Sequence, residues 1–306
     1  MKPFVILSGT SHPEFAKKIA DELGVKLGNV EIAQFSDSET HVIVHEDVAG
    51  KEVFLVQSGY APTNERLMEL LLLAEAVWNK KAKRITVILP FVPYRRQEKQ
   101  TKNGEALSFE VVARLLRAVG VRRVLTIDLH KHRSRRFFKD QHITCKELRA
   151  FPVFVDFFKK QKSLEDVVVV APDKGSIPES EKYARTLKVP LVRFYKRRTK
   201  RDQIVIDRFE GSVKGKNVLI IDDEINTGGT LVGVVQTLKK NGAGEVHFAC
   251  THGVLSGPAI ERLSSSSLEH ILITDTIPQS KEKRIKKMTI VSVASLFAQQ
   301  VRQWVK

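Results

Sequence analysis

Cysteine is scarce in this chain of 306 residues: Cys145 and Cys250 are its only two, and they lie far apart. No export signal accompanies them, so there is no disulfide framework to read, and a reduced, cytoplasmic protein is expected. Long apolar runs are missing too. The richest helical stretch, LMELLLLAEAVW, is broken by Glu69 and Glu75 and is too short to cross a bilayer. The opening MKPFVILSGTSH carries an apolar run too short for a secretory h-region. The chain has neither a G-x-x-x-x-G-K-[ST] loop nor a G-x-G-x-x-G turn, which excludes the two commonest nucleotide fingerprints. No zinc-ligand spacing, aromatic-basic RNA-binding pattern or helix-turn-helix signature stands out, which counts against nucleic acid as a partner. Low-complexity tracts are also absent; LSSSSLE reads as a short turn and not a linker. Acidic residues are in deficit, 35 against 51 Lys and Arg, for a net charge of +16. The basic residues gather in KKAKR, YRRQEKQTK, HKHRSRRFFK, KRRTKR and KEKRIKK. Such a balance suggests polyanionic partners, nucleic acid being one candidate and nucleotides and sugar phosphates another. Each cluster taken alone reads equally well as a solvated face.

What is present is an alternation of short β-branched runs with longer helical patterns. Strands are expected at Phe4, His41, Glu52, Ile85 and Arg123, and in a second series at Val167, Pro190, Val218, Glu245 and His270. Helices are expected to start near Pro13, Thr63, Leu107, Phe151, Ile177, Gly229 and Pro258, with a last one from Ala294. Many strand runs are continuously apolar, which favours parallel sheets covered on both faces. The pattern predicts an α/β chain of two doubly wound parallel-sheet domains, each of about five strands. The boundary falls near 145–150, giving domains 1–147 and 148–306, with the last helix free to pack back on the first. VLTIDLH at Val124 and VLIIDDE at Val218 look alike and hint at a duplication.

In open α/β sheets, ligands bind beyond the carboxyl ends of the strands. Four polar groups follow apolar runs there: Asp128-Leu129-His130, Asp173-Lys174-Gly175-Ser176, Lys196-Arg197-Arg198 and Asp222-Asp223. After the last comes Asn226-Thr227-Gly228-Gly229-Thr230 and an amphipathic run. Its glycines let backbone N–H groups turn inward, the helix that follows presents its positive end, and Thr227 and Thr230 add hydroxyls, so a phosphate fits. Asp222 and Asp223 can accept hydrogen bonds from vicinal hydroxyls. The plain alternative is an acidic turn with a helix cap. By the same standard, Lys196 and Arg198 could be a solvated basic hairpin, His130 an ordinary surface or core histidine, and Phe35 a core residue.

IDDEINTGGT resembles the phosphoribosyl-pyrophosphate motif of the type I phosphoribosyltransferase fold. FSDSE, PFVPYRRQEK, LTIDLH, APDKGS, FYKRR and THGVLSGPAIERL occur in the order found in ribose-phosphate pyrophosphokinases, and this resemblance spans nearly the whole chain. It implies transfer of the β,γ-diphosphate of ATP to the anomeric hydroxyl of ribose 5-phosphate, with Mg2+. Carried over, Phe35, Asp37 and Glu39 would hold adenine from a neighbouring subunit. Arg96, Gln97, Lys99 and His130 would hold ATP. His130 and Asp173 would hold magnesium or its waters. Asp173, Asp222 and Asp223 would hold the ribose side, and Asn226, Thr227, Gly228, Gly229 and Thr230 its phosphate. Lys196 and Arg198 would be catalytic, stabilising the charge of the transferred group. The basic stretch from Lys196 towards Gly211 is expected to form a loop that closes over ATP. A homo-oligomer is implied, at least a dimer that completes the ATP site and in many members a hexamer.

Several positions depart from the family pattern. Ser38 stands for glycine, Glu98 for aspartate, Gln100 for a basic residue and Ser176 for glycine. Glu179 and Glu181 stand for arginines, and Asn226 for an acid. These changes gather on the sugar side, so a longer acceptor such as ADP-ribose is the alternative substrate. Asp47, Ala49 and Asn79 replace the regulatory serine and arginine positions, and VRQWVK lacks the usual serine-containing tail. Weak phosphate activation and weak ADP feedback are therefore expected. A base phosphoribosyltransferase would not need FSDSE, RRQ and DLH together. A catalytically silent, regulatory paralogue would not need Lys196, Arg198, His130, Asp173, Asp222 and Asp223.

Overall fold

The computed structural model describes residues 3–160, 166–198 and 204–306, apart from the side chains of 132, 195–198 and 204–209. The chain divides into two compact units. The first comprises Met1–Arg149, Asp275–Pro278 and Ser292–Lys306, and the second Ala150–Thr274 and Gln279–Val291.

The first unit begins with β1 (Phe4–Ser8), α1 (Pro13–Leu23), β2 (Val30–Gln34), β3 (Thr40–Val44), β4 (Glu52–Val56) and α2 (Thr63–Asn79). It continues with β5 (Arg84–Leu89), α3 (Ser108–Ala118), β6 (Val121–Ile127), α4 (Arg135–Asp140) and β7 (Thr144–Leu148). Strands β1, β4, β5, β6 and β7 form a parallel sheet in that order, while β2 and β3 pair antiparallel as a separate hairpin. β4 and β5 are buried along almost their whole length, the signature of a sheet covered on both faces. One face packs Leu70, Leu73 and Val77 of α2 and Phe109, Val112 and Leu116 of α3 against Val53, Leu55, Val87 and Val124. Each such side chain removed from water contributes about 1.5–3 kcal/mol before chain entropy is set against it. Helix α1 starts where Pro13 occupies the first turn and the His12 side chain accepts from the Phe15 N–H; it stops where Gly24 turns left-handed.

The second unit holds α5 (Phe151–Lys160), β8 (Val167–Ala171), α6 (Ile177–Leu187), β9 (Leu191–Arg198), β10 (Ile204–Glu210) and β11 (Asn217–Ile225). Then come α7 (Gly229–Lys240), β12 (Val246–Gly253), α8 (Ala259–Ser265), β13 (His270–Thr274) and β14 (Met288–Val291). Among the described residues its sheet runs β10-β9-β8-β11-β12-β13-β14, parallel except for the β9–β10 pair. The last helix, α9 (Ala294–Trp304), belongs to the first unit, where Phe297 meets Phe15 of α1 edge-on at 5.4 Å.

The α/β class and the parallel sheets agree with the sequence expectation. The strand count does not: the second sheet has seven strands among the described residues instead of about five. The strand expected at His41 lies outside the main sheet of its unit. β2, β7 and β14 escaped the reading because each is short and at most half-buried, with polar residues interrupting the apolar ones. Residues 204–210, expected within a closing loop, form a strand on β9.

Candidate active site

In the second unit, β11 carries Asp222 and Asp223 towards its carboxyl end, two and three residues beyond the last register pair with β8, Ile220 with Val170, and Asp222 stands opposite Cys250 of β12. The Asp223 N–H donates to Asp222 Oδ1 at 2.8 Å. Asp222 is exposed at the strand end, yet its carboxyl is raised above the usual range: the atoms packed around it strip away part of its water, and Asp223 and then Asp173 add repulsion. Asp173 follows β8, where its Oδ1 accepts the Ser176 N–H at 3.0 Å. Thus Asp173, Asp222 and Asp223 share one strand-end neighbourhood.

The loop after β11 turns at Gly228, whose φ of 73° is left-handed, and α7 starts at once. A side chain at 228 would have room, with Leu263 at 3.6 Å; the glycine answers the backbone and not the space. The loop is braced from α8 and the segment before it: Arg262 Nη1 of α8 donates to the Thr227 carbonyl at 3.1 Å, and the Ser256 N–H donates to the Asn226 carbonyl at 3.0 Å. Arg262 also lies within 3.2 Å of where a Cβ at Gly229 would stand. The Asn226 side-chain oxygen is buried with no hydrogen-bond partner among the described residues. A buried acceptor left open in this way is a place for a donor from a ligand.

In the first unit, Arg96, Gln97 and Lys99 follow β5. The Gln97 side-chain oxygen accepts the Ser108 hydroxyl at 2.6 Å, and its carbonyl accepts the Phe109 N–H at 3.2 Å, tying the loop to the start of α3. Glu98 is buried against Ser134 and Arg133. His130 follows β6. Phe35, Asp37 and Glu39 sit on the separate β2–β3 hairpin. Its tip is closed by Phe35 N–H to the Glu39 carbonyl at 2.9 Å and Glu39 N–H to Asp37 Oδ1 at 3.1 Å. Ser38 there has a φ of 72°, the conformation a glycine takes freely, so serine fills the glycine position without changing the turn. The plain reading of Phe35 as core is overturned. Its ring is 54% exposed and lies 5.0 Å from His41, because the hairpin leaves the main sheet. Lys196 and Arg198 lie on the backbone of β9, and their side chains fall outside the described residues.

Two family models match the chain. One, described as the N-terminal domain of ribose phosphate pyrophosphokinase, covers residues 4–120; the other, described as the phosphoribosyl transferase domain, covers residues 154–271. The ribose-phosphate pyrophosphokinase of Caldanaerobacter subterraneus subsp. tengcongensis is 40% identical over 97% of this chain and 93% of its own. That of Clostridium acetobutylicum is 39% identical over 99% and 94%. The chain belongs to the ribose-phosphate pyrophosphokinase family. A crystal structure of phosphoribosylpyrophosphate synthetase from Mycobacterium smegmatis aligns with a TM-score of 0.92 and 38% identity over 99% of both chains. The pyrophosphokinase resemblance and the type I phosphoribosyltransferase fold read from the motifs are therefore correct, and the protein is an enzyme of the transferase class.

Family membership raises the question of magnesium. Among the described residues there is no group of three or more His, Cys, Asp or Glu that could hold a metal by itself. Mg2+ is ordinarily bound by one or two carboxylates together with substrate phosphates, so a protein cage is not required. Asp173 and Asp223 both act on the Asp222 carboxyl, so the three carboxylates gather at one strand end. The donor set fits Mg2+. Sequence reasoning missed Arg262, although it lies inside the quoted block THGVLSGPAIERL; its role depends on which carbonyl faces it.

Proposed function

We infer that this chain transfers the β,γ-diphosphate of ATP to the anomeric hydroxyl of ribose 5-phosphate, giving phosphoribosyl pyrophosphate and AMP. The observation that carries the reading is the pairing of the Asp222-Asp223 strand end with the glycine-turned phosphate loop at the start of α7. The two features grip different parts of one molecule: carboxylates for the ribose hydroxyls, and N–H groups of Gly228, Gly229 and Thr230 with the threonine hydroxyls for the 5-phosphate. Asn226 adds an open acceptor at the edge of that loop.

Arg96, Gln97 and Lys99 are assigned to ATP, with His130 at the nucleotide or its metal and Asp173 at the metal on the sugar side. Phe35, Asp37 and Glu39 are assigned to the adenine of a neighbouring subunit, a role that the exposure of Phe35 favours. When bound, Mg2+ supplies charge neutralisation on the phosphate oxygens. Lys196 and Arg198 stabilise the charge that builds on the transferred group, and the in-line approach of the anomeric oxygen comes from positioning by the two grips. A homo-oligomer, at least dimeric, follows from the shared adenine site. The described residues include no helix long and apolar enough to cross a membrane. Two free cysteines, one of them fully buried, suit a reducing cytoplasm.

Incubation with ATP, Mg2+ and either ribose 5-phosphate or ADP-ribose tests the reading. AMP formation that depends on ribose 5-phosphate supports it. AMP only with ADP-ribose would move the activity to the longer acceptor, and AMP with neither would remove the diphosphotransferase reading. Lys196→Ala should lose turnover by about 100-fold or more while still binding ATP, as expected for a charge that acts in the transition state.

A further inference from the structure

We propose that Glu147 and Arg149 are positioning residues for ATP: they hold the turn Asp128–Leu129 in the conformation that presents His130. The proposal rests on the assignment of His130 to the nucleotide.

β6 ends at Ile127, and the next residue, Asp128, has a φ of 41°. A residue other than glycine is disfavoured there and stays only where its surroundings hold it. Four contacts from neighbouring elements do so. The Asp128 N–H donates to the Leu148 carbonyl at 3.1 Å. Its carbonyl accepts Arg95 Nη1 at 3.2 Å, from a side chain that is almost fully buried. Its carboxylate accepts Arg149 Nη1 at 3.2 Å. The next amide, Leu129 N–H, donates to Glu147 Oε1 at 3.1 Å. Both amides of the turn are therefore held from β7, one by its backbone and one by a side chain on it.

Glu147 is the hub. Its side chain is only 1% exposed, and it stands opposite Thr126 in the β6–β7 register, directly below the turn. Arg149 Nη1 lies 3.5 Å from one of its oxygens and Arg135 Nε 3.5 Å from the other. Arg149 thereby links the two carboxylates on either side of the turn, Asp128 and Glu147. A buried carboxylate with this many partners at the base of a strained turn fixes where the chain goes next. The next residue is His130. An imidazole that must meet a phosphate or a metal-bound water needs its direction set, and here the direction comes from β7.

The test is ATP binding by the full-length chain, read by titration calorimetry with Mg2+ and again with chelator, beside ribose 5-phosphate binding. Glu147→Ala is expected to weaken ATP binding about 10- to 100-fold. Ribose 5-phosphate binding should stay within about twofold, as for a site without shared partners. Glu147→Gln keeps an oxygen for the Leu129 N–H and should lose less; Arg149→Met should fall between the two. His130→Ala sets the reference. Because Glu147 acts through His130, the double variant should bind ATP no worse than His130→Ala alone. Losses that multiply, or equal losses for both ligands, would overturn the positioning role. So would unchanged ATP binding in Glu147→Ala beside a weakened His130→Ala. If His130→Ala itself binds ATP normally, the assignment of His130 fails and takes this proposal with it, a result distinct from the others. Should Glu147→Ala fail to fold, the Gln and Met variants decide by the same comparisons.

Discussion

The carboxyl of Asp222 is pushed above the ordinary carboxylate range, first by the water stripped from it at the strand end and then by Asp223 beside it. A folded-state value raised above the unfolded one means that the folded chain binds more protons between the two. The penalty of holding Asp222 charged is thus absent below the unfolded value, grows as pH rises through that window, and is fully present above the raised value. Asp222→Asn removes this penalty. At neutral pH the variant is expected to melt at a higher temperature than the parent, with the gap closing as the pH is lowered into the acid range, while turnover collapses. Thermal unfolding across a pH series checks the sign; a gap that widens in acid would contradict it. The position of this pair of aspartates at the end of a strand was legible in the sequence, because they follow an apolar run directly. Phe35 was not legible as exposed from its own surroundings, since FSDSE does not show that its hairpin leaves the sheet. Glu147 was invisible for a related reason: its importance lies in which amide it meets across β6 and β7, not in any spacing along the chain.

At the scale of elements, the root of the β9–β10 pair is fastened by charge. Arg193 on β9 reaches Glu181 of α6 at 2.7 Å and Glu210 of β10 at 2.9 Å. Glu181 is one of the positions where an acid replaces an arginine of the family pattern, and the structure supplies the physical reason: here it faces a cation. Reverting it alone should therefore be harmful. Glu181→Arg is expected to cost about 1 kcal/mol of stability, since the pair is partly exposed and an attraction becomes a repulsion of similar size. Combining it with Arg193→Ile should recover most of that loss. Denaturant unfolding of the two single variants and the double variant measures the coupling; additive losses would show that the pair is independent. Elements built from continuous apolar runs, such as β8 and β11, could be read directly. Those built from polar or half-buried residues, such as β7 and β14, could not, because their strand character comes from their neighbours in the sheet.

The whole molecule carries a net charge of +16 and acts, on this reading, on two anionic substrates. Such a field draws them in and makes their capture dependent on salt. The family fold and reaction class were legible because the motif blocks lie in order along nearly the entire chain. Regulation is expected to differ from the family pattern through Asp47, Ala49 and Asn79. Asp47 is held by Lys51 at 3.1 Å and by the Ala49 N–H at 3.3 Å, so an anion approaching there meets a carboxylate. Titrating inorganic phosphate and ADP against initial rate should therefore show weak activation and weak inhibition; strong phosphate activation would contradict it. The central claim is that a diphosphate group moves intact. With ATP labelled in its γ-phosphate, Mg2+ and ribose 5-phosphate, all transferred label is expected in a sugar 1-diphosphate, matched mole for mole by unlabelled AMP. Formation of ADP, or release of the label as free phosphate, would contradict it.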